Sequence, residues 1–255
     1  AGSFFQAPLL RYNNRMDPEL QLPAWAGKLR EGYLSGEAGQ FLLHRNVSDL
    51  CEWREGGKLE YITLSEFLTR FLGRTKPIVA FYNVSEGLVF AQHEMREQFV
   101  TKLNLSRKLR GDPEWSGVLP ASPSRTLGLL GEFLSSPRHR AAVVIAYLET
   151  LVPEGDLAYL GGEDRASLVA IQEWSRDPGL LASDNIVIMV TENLVEVNRR
   201  VRGQPALMSI ELGLPDREER LRFINHLREQ NSTPGDSSEL VAELTAGLSR
   251  LQIES

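Results

Sequence analysis

The hydrophobic pattern of the chain centres on one apolar run, residues 141–152 (AAVVIAYLETLV), which lies between a basic segment and Pro153. An unbroken run rich in β-branched residues predicts a strand that is buried on both faces, as in the centre of a parallel sheet. Ligands of open α/β sheets bind beyond the carboxyl ends of such strands, which directs attention to residues 146–149.

Other segments predict alternating strands and helices. Thr63 and Glu66, and again Asp216 and Glu219, have the spacing of a helix capping box. The predicted strands are residues 40–46, 78–82 and 185–190, and the predicted helices are 22–34, 63–72, 90–105, 163–174 and 217–230. Residues 49–58 are polar and contain glycine, which predicts a connection. Strand, helix, strand is the order of a parallel crossover.

Several segments, in this order, resemble motifs of the AAA+ ATPase family. Residues 145–151 are similar to a Walker B strand, and residues 187–193 resemble a sensor-1 strand that ends at Asn193. Two arginines, a hydrophobic-Pro-Asp segment at residues 214–216 and a lid-like run at residues 241–249 follow in the family's order.

The resemblance implies an α/β fold, a parallel-sheet three-layer sandwich of the P-loop NTPase/AAA+ type with the start of a helical lid. We expect an N-terminal segment or appendage at 1–72, a degenerate AAA+ core at 73–214 and a truncated lid at 215–255. The alternative is that residues 1–72 belong to the same domain as the core. Because the family's lid continues beyond this point, we expect the N-terminal module of a tandem AAA+ protein.

The phosphate loop that the family needs is absent from the sequence. ATP hydrolysis in P-loop enzymes requires a Gly-rich loop, a Lys and a Ser or Thr that binds Mg²⁺. The segment after the predicted strand 78–82 offers Asn83, Ser85, Glu86 and Gly87 instead, and Glu86 has the wrong sign of charge to face a phosphate. We therefore interpret residues 83–90 as a degenerate Walker A region.

The Walker B acidic pair is also missing, since Ala146 and Tyr147 stand in its place. Glu149 is the remaining acidic residue and a weak candidate for a general base, which needs hydrogen-bond reach of a positioned water. The alternative is a structural carboxylate that points to solvent or pairs with an arginine. The domain is predicted to be unable to hydrolyse ATP and to bind neither cofactor nor metal.

Two further groups of residues have family counterparts. Arg199, Arg200 and Arg202 resemble arginine fingers, which reach the nucleotide of a neighbouring subunit; the alternative is a basic surface run. Trp115 lies in a Gly/Pro-rich stretch where the family places a pore loop, and the alternative is that its ring packs on the core.

Composition excludes several classes of function. The net charge of −6 and the pI near 5.4 argue against a nucleic-acid partner. No stretch is long enough to cross a membrane, and the 4 histidines have no metal-ligand spacing. A single cysteine, Cys51, fits a reducing compartment, so we predict a cytoplasmic protein with an inert thiol.

These observations predict a non-catalytic AAA+ domain of an ATP-driven protein-remodelling ATPase. Its predicted roles are ring assembly, inter-subunit coupling or contact with a protein substrate, and its predicted partners are other AAA+ subunits in a homo-oligomeric ring. The alternatives are a stand-alone α/β interaction scaffold and an active ATPase with an unorthodox phosphate site near residues 85–87.

Overall fold

The computed structural model of the chain describes residues 20–231 and 237–255. Residues 1–19 of the predicted N-terminal segment lie outside the described residues. The strands are Gln40–Arg45 (β1), Cys51–Glu55 (β2), Lys58–Ile62 (β3), Ile78–Asn83 (β4), Gly87–Phe90 (β5), Ala141–Ile145 (β6), Ile186–Thr191 (β7) and Leu207–Leu212 (β8). The helices are Ala24–Leu34 (α1), Leu64–Gly73 (α2), His93–Arg110 (α3), Pro123–Leu134 (α4), Gly162–Trp174 (α5), Pro178–Leu181 (α6), Arg199–Arg202 (α7), Arg217–Asn231 (α8), Ser238–Leu244 (α9) and Arg250–Glu254 (α10).

A six-stranded sheet in the order β5-β4-β6-β7-β1-β8 forms the centre of the molecule. All of its neighbouring strands are parallel except β5, which pairs antiparallel with β4. The hairpin β2–β3 forms a separate two-stranded sheet. The predicted α/β fold with a mostly parallel sheet between helices is therefore confirmed.

The two faces of the sheet carry separate hydrophobic cores because side chains alternate along each strand. Val143 and Ile145 of β6 face the core that contains helices α3, α4 and α5, whereas Ala142 and Val144 face the core that contains α1 and α2. Every residue of β6 and β7 is buried, as the apolar runs predict. The result is a three-layer arrangement of helices, sheet and helices.

Three sequence expectations about individual elements are wrong. The strand predicted at 141–152 ends at Ile145, because Tyr147 takes a left-handed conformation (φ 54°) and a 3-10 turn, Leu148–Thr150, follows. The helix predicted at 90–105 begins only at His93, since Phe90 belongs to β5. The connection predicted at 49–58 contains most of a β-hairpin, whose turn is formed by two glycines with positive φ.

The position of β1 also corrects the predicted domain boundary. β1 lies inside the sheet, between β7 and β8, and not in an appendage. Residues 40–45 are therefore part of the same domain as the core, which was the alternative interpretation. The predicted boundary at residue 72 divides a single domain, because the central sheet contains strands from both sides of that boundary.

Candidate functional site

The strand order identifies the edge of the sheet where a ligand site would lie. After β1 the chain crosses to β4 on one side, and after β7 it crosses over β1 to β8 on the other side. Adjacent strands whose connections leave in opposite directions create a crevice at their carboxyl ends, which is where open α/β sheets bind ligands. We call the carboxyl ends of β1 and β7 the switch-point crevice.

The backbone groups at the end of β1 are bonded to the protein itself. The N–H of Arg45 donates to the carbonyl of Glu192 (3.0 Å), and the N–H of Asn46 donates to the carbonyl of Leu212 (3.2 Å). The hydroxyl of Ser48 donates to the carboxylate of Glu192. Arg45 has a φ of 82°, in the region that side chains rarely adopt. These amides have their partners within the fold.

A buried carboxylate, Asp49, lies next in the chain, with a side chain only 2% exposed. It accepts hydrogen bonds from the backbone N–H groups of Arg250 and Leu251 in the first turn of α10, both at 3.0 Å. The amide of Asn46 donates to it at 2.9 Å, and the Arg250 guanidinium lies 3.8 Å away. The negative charge of Asp49 is thus satisfied by the protein's own donors.

A hairpin occupies the place between the first sheet strand and its helix. The chain runs from β1 through β2 and β3 before α2 begins at Leu64. The amide nitrogens at the start of α2 are capped locally, since the Thr63 hydroxyl accepts from the N–H of Glu66 at 3.2 Å. A phosphate-binding loop needs free amides at a strand-to-helix turn. Residues 46–63 offer no such turn.

Comparison with known proteins assigns the chain to a family. A family model described as AAA+ chaperone, N-terminal Rossmann-like domain, matches residues 17–213, which is most of the chain. The chain belongs to this family. The match includes all six strands of the central sheet, the last of which ends at Leu212. No curated protein matches the chain.

One similar solved structure is the E. coli MS115-1 HORMA:CdnC:Trip13 complex. The chain shares 15% identity with a chain of that complex at a TM-score of 0.46. The alignment covers 87% of this chain and 66% of that chain.

The predicted degenerate Walker A region of this AAA+ chaperone domain is a hairpin turn. Asn83 closes the turn, because its Oδ1 accepts from the N–H groups of Ser85 (2.9 Å) and Glu86 (2.8 Å), and its Nδ2 donates to the Glu86 carboxylate (2.7 Å). Gly87 has a φ of +72° and opens β5. This turn follows β4, which is separated from β1 by two strands, so the topology places the switch-point crevice elsewhere.

The predicted degenerate Walker B residues follow the central strand. The N–H of Ala146 donates to the carbonyl of Tyr82 (3.0 Å), and the Tyr147 side chain is 60% exposed. Glu149 is half-buried, and its Oε2 atom has no hydrogen-bond partner within the described residues. The alternative, in which the Glu149 carboxylate points to solvent or pairs with an arginine, does not hold for this oxygen.

The side chain of the sensor-1-like residue Asn193 forms hydrogen bonds with the residues that follow it. Its Oδ1 accepts from the N–H of Val195 (3.4 Å), and its Nδ2 donates to the carboxylate of Glu196 (2.9 Å). Thr191 precedes it at the buried end of β7. Asn193 therefore caps the 3-10 turn Leu194–Glu196.

The finger-like arginines lie in the short helix α7. Arg202 pairs with Glu154 at 3.3 Å, and the backbone N–H of Arg199 donates to the same carboxylate at 2.7 Å. Arg199 and Arg200 are exposed, and within the described part of the chain their guanidinium groups have no ion-pair or hydrogen-bond partner. Arg202 thus has a structural partner, whereas the other two arginines project freely.

Trp115, predicted as a pore-loop contact, is half-buried and packs on the core, as in the alternative interpretation. Its indole N–H donates to the carbonyl of Val118 (2.8 Å), and its ring meets Phe99 edge-to-face at 6.0 Å between centroids. The backbone of Trp115 is held by Asn104, which accepts from its N–H at 2.8 Å. In the same stretch it is Val118 whose side chain is exposed to solvent.

Sequence reasoning missed the contact of Asp49 with Arg250, which joins the segment after β1 to α10. Their contact joins positions 201 residues apart, so no local pattern reveals it. A partial signal was available, since Ser249 and Gln252 form a capping box at the start of α10. Within the described residues no group of acidic, His or Cys side chains could hold a metal ion, and no helix is long and apolar enough to cross a membrane.

Proposed function

We propose that this AAA+ chaperone domain is a non-catalytic module of an ATP-driven protein-remodelling machine. It serves ring assembly, inter-subunit coupling or substrate contact in the cytoplasm, while a competent module hydrolyses ATP. Its partners are other AAA+ subunits and a protein substrate.

The state of the switch-point crevice carries this proposal. The hairpin β2–β3 stands where a phosphate loop would begin, and the amides of Arg45 and Asn46 are already bonded. Asp49 adds a buried carboxylate to the segment after β1, in which a phosphate would require positive charge. Because the amides after β1 are bonded within the fold and the loop after them carries a carboxylate and no lysine, the domain is expected to bind neither ATP nor Mg²⁺.

Titration calorimetry tests the proposal directly. ATP and a slowly hydrolysed analogue, each with Mg²⁺, are titrated into the chain. No heat of binding is expected up to about millimolar nucleotide, which corresponds to a binding free energy of less than about 4 kcal/mol. A thermal unfolding scan with nucleotide serves as an independent readout, since any ligand of the folded state raises the Tm. Binding in the micromolar range would refute the proposal and revive the ATPase interpretation with Glu149 at its centre.

The exposed arginines suggest how a non-hydrolysing domain would still matter. An arginine supplied to a neighbouring subunit's γ-phosphate accelerates hydrolysis by about 10³–10⁵-fold in enzymes that use one. We expect Arg199→Ala or Arg200→Ala in the assembled protein to lower its ATPase rate at least tenfold. Arg217→Ala, which removes an exposed ion pair with Glu243, is the control and should leave the rate unchanged. Equal rates in all three variants would argue against a finger role.

A further inference from the structure

The helices α8, α9 and α10 are fastened to the hairpin β2–β3 at several points. Phe223 of α8 packs edge-to-face on Tyr61 of β3, with 4.7 Å between ring centroids. Arg222 of α8 pairs with Glu52 of β2 at 3.4 Å. The hairpin that replaces a phosphate loop is therefore also the surface on which the C-terminal helices rest.

The end of this helical segment is fastened by Asp49. The carboxylate accepts both N–H groups of the first turn of α10, and the Arg250 guanidinium donates to the carbonyl of Leu50 at 3.1 Å. Arg250 also lies 3.5 Å from Glu219 of α8, and its side chain is only 8% exposed. One buried arginine thus joins the core loop, α8 and α10.

The helices are also joined to each other. Arg220, buried in α8, donates to the carbonyl of Ala242 in α9 at 2.9 Å and to the carbonyl of Pro215 at 2.7 Å. Arg220 thus joins α8 to α9 within the segment, and Asp49 joins α10 to the core. Buried groups with this many partners resist local opening.

We propose that Asp49 and the hairpin β2–β3 form a latch that holds the helices α8–α10 against the sheet in place of a nucleotide. This inference rests on the proposed absence of nucleotide from the domain. The latch makes the angle between core and helices independent of ATP, so the domain transmits force as a rigid body while its neighbours cycle.

The single cysteine of the chain provides the reporter for latch opening. Cys51 follows Asp49 by two residues and is buried; burial raises the pKa of its thiol to about 12, with the Arg250 and Asp49 charges acting on it in opposite directions. A thiol that is buried and protonated reacts slowly with an alkylating reagent. Its labelling rate at pH 8 therefore reports how often the surrounding contacts open.

The test compares substitutions that remove one latch contact each. Asp49→Asn removes the charge of the acceptor, and Leu251→Pro removes the N–H that donates to Asp49, in the first turn of α10 where proline is tolerated. Leu251→Ala keeps that N–H and is the matched control, since the Leu251 side chain is exposed. Arg217→Ala, at an exposed pair within the same helices, is a second control.

We expect iodoacetamide labelling of Cys51 to accelerate about tenfold or more in Asp49→Asn and Leu251→Pro, the effect of losing one charge-assisted hydrogen bond. The two controls should label at the parent rate. Hydrogen exchange should increase in α10 and α8 of the same two variants, and labelling should be insensitive to low urea, as for local opening. Mg-ATP should change none of these rates.

Parent-like labelling and exchange in both variants would overturn the latch. If Asp49→Asn fails to fold by circular dichroism, the Leu251→Pro and Leu251→Ala pair still decides the question, because it alters a surface position. The calorimetric test of nucleotide binding is independent of these rates. ATP binding together with parent-like labelling of both variants would refute both proposals. Parent-like labelling without ATP binding would refute only the latch.

Discussion

A buried lysine at the amino edge of the sheet gives the sharpest prediction about stability. The Lys76 side chain is 3% exposed, and its ammonium lies 3.0 Å from the carboxylate of Asp184. It also contacts the Tyr33 hydroxyl and the Asp184 carbonyl. Arg140 donates to the second carboxylate oxygen at 3.1 Å. This cluster ties the start of β4, β6 and β7 to α1.

Removing the carboxylate leaves the Lys76 charge buried with no counter-charge from Asp184. Breaking a buried ion pair on one side costs about 3–5 kcal/mol. The Asp184 side chain is 46% exposed and its carbonyl still accepts from Lys76, which reduces the effect. We therefore expect Asp184→Asn to lower the free energy of unfolding by about 2 kcal/mol. For a chain of this size that corresponds to a fall in Tm of about 4–8 °C.

The reciprocal substitution has a different expected result. Lys76→Met removes the buried charge and leaves an Asp184 side chain that is 46% exposed and still paired with Arg140, so no uncompensated charge is buried. We expect a change within about 1 kcal/mol. In the double variant, Asp184→Asn should cost less than it does alone, because there is no buried charge left to expose.

Urea denaturation followed by circular dichroism measures these differences. The midpoint should move while the m-value stays constant, which identifies a change in stability and not in the unfolded state. A cost below about 0.5 kcal/mol for Asp184→Asn, or a cost of about 3 kcal/mol or more for Lys76→Met, would refute the reasoning.

The same cluster makes a prediction about pH. Burial raises the pKa of the Asp184 carboxyl, but hydrogen bonds from Tyr33, Lys76 and Arg140 together with the Lys76 charge outweigh burial and leave the pKa below its ordinary value. The contribution of Asp184 to stability is therefore complete above its ordinary pKa, roughly 3.9. It is lost as the pH falls through the lower pKa of the folded state. In Asp184→Asn the decline of stability with acidification should be shallower than in the parent.

Two further stability predictions have matched controls on the same helix. A Cβ at Gly131 would lie 2.5 Å from the indole nitrogen of Trp174, so Gly131→Ala should lower the free energy of unfolding by about 1–3 kcal/mol. Gly128 has open space around it, so Gly128→Ala should be neutral or stabilising by up to about 1 kcal/mol. Urea denaturation measures both changes. Thr63→Ala removes the cap of α2 and should lower the free energy of unfolding by about 1 kcal/mol. Thr69→Ala, in the interior of the same helix, should lower it by less. Equal losses would show that the cap hydrogen bond contributes nothing.

Local patterns were sufficient for most elements of this fold. The apolar runs located β1, β4, β6 and β7 because burial on both faces requires them to be continuous. The capping-box spacing located α8, and the structure shows both of its hydrogen bonds, 2.8 Å from the N–H of Glu219 to Asp216 and 3.0 Å in return. Periodicity and caps are local properties, so a single sequence displays them.

The hairpin β2–β3 has a local signal that the sequence interpretation did not use. Gly56 and Gly57 lie between alternating segments, Cys51–Glu55 and Lys58–Ile62, which is the signature of a two-residue hairpin turn. The end of β6 is different, because the apolar run continues past Ile145 and nothing in it marks the left-handed Tyr147. The hairpin was missed because its signal was not used, whereas the end of β6 was missed because no local signal marks it.

The location of the candidate site depends on strand order, which local patterns do not contain. Any of the predicted strands could have preceded a phosphate loop, and the sequence interpretation chose the strand predicted at 78–82, which a predicted helix follows. The sheet instead places β1 beside β7, so the crevice belongs to the segment after Arg45. That segment contains an acidic residue, Asp49, and leads into a hairpin where a P-loop enzyme would have glycines and a lysine. Our proposal that the domain does not bind nucleotide gains support from this segment, because a buried carboxylate that already has its partners accompanies the missing phosphate loop.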